Sequence, residues 1–140
     1  MRARLQEIAQ AAQSDPKKAL LDSIGDITGF VPTLNLVLVA TYISPEKTRG
    51  GIIRPHRNIT EERFQGKVGL ILAKGPIAFQ DDGATKFGGL NPKPGDWVVY
   101  RPADAMEMFF RYQNTGEGTP CRLIEDTLIK AIIEDPSLIY

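Results

Sequence analysis

From Leu34 onward the apolar residues of this chain recur at every second position, in short runs cut off by glycine and proline. That period is the signature of extended strands, whose successive side chains point to opposite faces. In the first run Leu34, Leu36, Leu38 and Ala40 fall on one side and Val37, Val39 and Thr41 on the other, so the strand is expected to be covered on both faces. Gly66 to Ala73 aligns Val68, Leu70 and Leu72 before Gly75-Pro76 stops it. Gly95-Asp96 is read as a tight turn that delivers Trp97-Val98-Val99-Tyr100, which ends at Arg101-Pro102. Met106 to Tyr112, Cys121 to Ile124 and Leu128 to Ile133 supply the remaining runs. Between them Phe79 to Pro94 is rich in turn residues, with Asp82-Gly83 as a hairpin signal. Short strands and frequent turns predict an all-β fold, a small β-barrel over residues 34–134 with a tail at 135–140.

Residues 1–33 have a different period. Leu5, Ile8, Ala9 and Ala12 recur at helical spacing, opposite Arg2, Arg4, Gln6, Glu7 and Gln10. Ser14-Asp15-Pro16 then gives a stop and a new start, with Asp15 as cap and Pro16 at the first helical position. Leu20, Leu21 and Ile24 form the next apolar stripe, ended by Gly25, although Lys17 and Lys18 oppose the helix dipole. Helices this short are unstable alone in water. The segment is therefore a helical N-terminal arm that docks through Leu5, Ile8, Leu20, Leu21 and Ile24, onto its own domain or a neighbouring subunit, or else frays.

Between the first two strands lies a long polar loop, residues 44–65. Two prolines, the Gly50-Gly51 pair and mixed charges exclude a sustained helix or ladder. Ile52 and Ile53 nevertheless stand at its middle, and two adjacent aliphatic side chains gain nothing from water. Either the loop is a hook for an apolar groove on a partner, or both isoleucines fold back onto their own domain.

Composition narrows the function classes. Lys plus Arg equals Asp plus Glu at 17 each, and no basic stripe is apparent, so nucleic-acid binding is not expected. The single Cys121 excludes an internal disulfide framework and a thiolate metal site. No apolar run reaches the roughly 18 residues of a membrane span, and the N-terminus has no hydrophobic signal core.

Taken in order, Pro32 with Val37-Leu38-Val39, the loop Glu46-Lys47-Thr48-Arg49-Gly50-Gly51-Ile52-Ile53, the restart Gly66-Lys67-Val68, the turn and strand Gly95 to Tyr100, and the close Arg122 to Ile132 resemble the GroES family of co-chaperonins. The resemblance spans roughly residues 32 to 133 and implies a partly open antiparallel β-barrel, assembled as a ring-shaped homo-oligomer through first and last strands. It also implies that the loop binds a GroEL-type chaperonin through Gly50, Gly51, Ile52, Ile53 and Arg54. The third place of the apolar tripeptide is charged here, so either Arg54 keeps its head in water while its stem packs or the partner's groove differs. Asn35-Leu36 stands where the family has an acidic-basic pair, and residues 1–33 precede its usual start.

The arm, the Pro-Glu-Lys-Thr loop and the Asp-Pro-Ser-Leu-Ile-Tyr tail resemble co-chaperonin-like proteins of phages and prophages. Two functions follow as expectations. One is a non-catalytic lid for a chaperonin in the bacterial cytoplasm. The other is a decoration protein that clips onto the major capsid protein at the surface of a virion. The related barrel of zinc alcohol dehydrogenases prompts an enzyme reading, but one Cys and one His cannot supply a zinc site of that kind, and no Gly-x-Gly-x-x-Gly follows a strand. Neither a metal nor a cofactor is expected. His56 reads as an exposed loop residue, Trp97 as core or subunit interface, and the pairs Glu61-Glu62, Asp81-Asp82 and Glu125-Asp126 as solvated turn charge.

Overall fold

A computed structural model describes residues 15–42, 67–111 and 118–139. Among the described residues the fold is mostly β, an antiparallel sheet of six strands with one α-helix: β1 (Leu36–Thr41), β2 (Val68–Lys74), β3 (Trp97–Tyr100), β4 (Met106–Phe110), β5 (Thr119–Glu125) and β6 (Ile129–Ile133). Their order is β4-β5-β1-β2-β3-β6. Among the described residues β4 pairs only with β5 and β6 only with β3, so the sheet is open and is not a closed barrel.

The central strands are buried on both faces, as the alternation predicts. Leu38, Ala40 and Tyr42 point to one face with Val68, Leu70, Trp97 and Cys121. Val37 and Val39 point to the other with Ile71, Val98, Tyr100 and Ile124. Register shifts between Leu38 and Val39 and between Val99 and Tyr100 bend the sheet at two places. Gly69 belongs to the second face, where a Cβ would stand 3.0 Å from both the Tyr100 ring and Val39. Its bare backbone lets that ring lie flat over β2. Leu34, expected to begin the first strand, instead lies in a turn with φ 50° and is exposed.

The first face is closed by α1 (Pro16–Ile24). Asp15 Oδ1 accepts from Lys18 N at 3.0 Å, Pro16 sits in the first turn, and Gly25 at φ 76° donates its N–H to Leu21 O. Leu20 and Ile24 are buried in the apolar cluster on that face, while Leu21 is 47% exposed. At the helix end the Thr119 hydroxyl lies 3.2 Å from Ser23 Oγ, and Ser23 Oγ donates to Leu20 O at 2.8 Å. Phe30 stacks edge-on against Phe110 with ring centres 5.2 Å apart, and Tyr42 against Trp97 at 5.4 Å. No helix among the described residues is long and apolar enough to cross a membrane.

Candidate functional site

The expected partner residues Gly50, Gly51, Ile52, Ile53 and Arg54 lie outside the described residues, as do Leu5, Ile8 and His56. The points from which residues 43–66 depart and return are nonetheless well defined. β1 and β2 are antiparallel neighbours whose ladder runs to Thr41↔Gly69, and Tyr42 N donates to Val68 O at 3.0 Å. Lys67 O in turn accepts from Tyr100 N at 2.9 Å. A hairpin between such strands needs only about two residues. Here residues 43–66 are inserted at that corner, and both roots are pinned to the sheet.

Close to these roots, on the second face, a polar cluster interrupts the apolar packing. Arg122 is only 2% exposed; its Nη1 donates to the Tyr100 hydroxyl at 3.2 Å and its Nη2 lies 3.8 Å from Glu107 Oε2. The guanidinium also stands 5.7 Å from the centre of the Tyr100 ring. Burial pushes the Tyr100 hydroxyl above its ordinary value, against the opposing pull of Arg122, so the phenol keeps its proton. Thr41 Oγ1 is buried beside it. Burial also pushes the Cys121 thiol up, away from the thiolate that a nucleophile requires. The signal for Arg122 was present in the sequence as a charge inside the run Cys121 to Ile124, at a position that alternation assigns to the second face.

A second constellation lies at the opposite end of β1. The pair Glu125-Asp126, expected as solvated charge, splits: Glu125 is exposed, whereas Asp126 is buried. Asp126 Oδ1 accepts from Asn35 Nδ2 at 2.9 Å, its Oδ2 accepts from Phe79 N at 2.8 Å, and its own N–H donates to Asn35 O at 3.0 Å. Those donors repay the desolvation of the carboxylate, which is why it can leave water. Asp81 and Asp82 remain exposed, but they organise the turn: Asp81 Oδ1 accepts from Phe87 N, and Asp82 Oδ1 from Ala84 N and Thr85 N. The Thr85 and Ala84 amides hold the Asp82 carboxyl below its ordinary value. Asp82-Gly83 thus makes a turn, as expected, but no paired strands flank it.

Two surface grooves flank this turn. One, of about 260 Å³, is lined by Phe79, Phe87, Leu90, Lys130 and Ile132 among others, alongside the open edge of β6. The other, of about 390 Å³, lies between Lys74–Pro76 and Gln80–Asp81 and shares Phe79 and Leu90 with the first. No three His, Cys, Asp or Glu side chains among the described residues are placed to hold a metal ion. No known protein family matches the chain, and no curated protein matches it.

Proposed function

We propose that this chain is a phage-type, GroES-like co-chaperonin: a non-catalytic, oligomeric lid that engages a GroEL-type chaperonin through Gly50, Gly51, Ile52, Ile53 and Arg54. The observation that carries the reading is the corner between β1 and β2. Residues 43–66 are inserted where a tight turn would suffice, from roots fixed by the Tyr42 and Tyr100 amides, and they carry Ile52-Ile53. A pinned base presenting a long polar segment with an aliphatic centre suits docking more than chemistry. The raised Cys121 thiol and the proton-bearing Tyr100 lean the same way, since neither is activated for attack.

Energetics are compatible with such a contact. Burying an isoleucine is worth roughly 1.5–3 kcal/mol, and several loops in one oligomer multiply a weak contact into a strong one. Co-sedimentation with a bacterial GroEL-type chaperonin in the presence of ADP tests the reading. Saturable binding is expected, and Ile52→Asp combined with Ile53→Asp is expected to abolish it while leaving the oligomer intact. Absence of binding by folded, oligomeric protein would sink the lid and leave attachment to a capsid shell as the reading to pursue, for which removal of residues 1–30 should release the protein from particles.

A further inference from the structure

We propose that residues 80–91 form a flap latched by Asp126, and that release of the latch joins the two grooves that Phe79 now separates. This does not rest on the chaperonin reading. Phe79 has φ 61°, in the left-handed region that a bulky aromatic residue rarely adopts and that glycine or asparagine usually fills. Such strain persists only where the surroundings over-determine it. Here the backbone restraint is the hydrogen bond from Phe79 N to Asp126 Oδ2, a carboxylate that is itself buried and fixed by Asn35. The ring is held in place by an edge contact with Phe87, 5.7 Å between centres, and by Lys74 Nζ at 5.8 Å.

Beyond Phe79 the flap is internally braced. Asp81 and Asp82 take the Phe87, Ala84 and Thr85 amides, and Asp82 N donates to Thr85 O, so the turn has its own framework and moves as a unit. Its far end is tied by Lys74 Nζ to Asn91 Oδ1 and Pro92 O. A braced turn between a strained residue and a side-chain tether has its soft point at Phe79. When the Asp126 bond opens, Phe79 relaxes to negative φ and its ring leaves the wall common to both grooves, which are otherwise lined by Leu90 on each side.

Hydrogen exchange read by mass spectrometry on the full chain tests this. In Asp126→Ala both Phe79 N and Asn35 Nδ2 lose their acceptor, so peptides covering 76–92 are expected to exchange at least ~10-fold faster while β1 and β5 amides stay protected. Asp126→Glu, which keeps the charge but misplaces it, is expected to do the same if the alanine variant folds poorly. In a Phe79→Gly background, where the left-handed backbone carries no strain, Asp126→Ala is expected to accelerate the flap less than ~3-fold. Unchanged exchange at 76–92, a uniform rise across the whole sheet, or equal acceleration in both backgrounds would each overturn the latch.

Discussion

The two faces of this sheet are buried to the same degree by different means. The first is apolar at its centre, where Leu20 and Ile24 of α1 close over Leu38, Ala40, Leu70, Trp97 and Cys121, with the neutral Ser23 and Thr119 hydroxyls buried at the helix end. The second places Arg122, Tyr100 and Thr41 among Val37, Val39 and Val98, with the turn bearing Phe79 as part of its cover. The first face is held by area and shape, which tolerate repacking. On the second, a guanidinium out of water depends on partners in fixed positions, so geometry there is less forgiving. Each face should therefore fail in its own way.

The largest effect is expected on the polar face. Arg122→Ala removes a fully buried cation and its stem and leaves the Tyr100 hydroxyl and Glu107 without it, for a loss of about 3–5 kcal/mol in urea unfolding. Arg122→Met, which keeps volume and removes the charge, should recover most of that loss; if it does not, the charge itself holds the face together. On the apolar face Leu20→Ala should cost about 2–3 kcal/mol, at the low end of such truncations because a short surface helix can settle into the gap. A red shift of Trp97 emission would accompany it, since both side chains belong to one cluster.

Smaller effects sharpen the contrast. Thr41→Val removes a buried hydroxyl at the margin of the polar cluster and should change stability in urea unfolding by no more than about 1 kcal/mol. On the pH axis each face carries one group raised by burial, Tyr100 on the second and Cys121 on the first. Their stabilising contributions are fully present below the ordinary values of 10.0 and 9.0, because both states then hold the proton. As pH rises further, only the unfolded chain ionises, so stability falls. Alkaline titration of the unfolding midpoint should show that decline, and Cys121→Ala should delay its onset while Tyr100→Phe should flatten its later part.

Much of the architecture was legible because it is local. The cap at Asp15, the stop at Gly25, the turn before Trp97 and the two-faced alternation of β1 each depend on neighbours a few positions away. The candidate sites were legible in unequal measure. The insertion between β1 and β2 stands out in composition, whereas Asp126 was misread as surface charge because its donor Phe79 N lies 47 positions away in the chain. Arg122 was passed over inside an apolar run for the same reason: its partner Tyr100 belongs to another strand.

Local residue order sets the period of each segment, the side of each strand that an apolar residue occupies and the places where the chain must turn. Long-range pairing alone set β5 between β4 and β1, placed β6 against β3 at the edge of the sheet, and took Arg122 and Asp126 out of water. Alternation specifies which face a side chain takes but not which strand lies beside it, because pairing is a non-local choice among ladders of similar hydrogen-bonding energy. A charge is buried only when that choice brings donors or acceptors to it from distant parts of the chain.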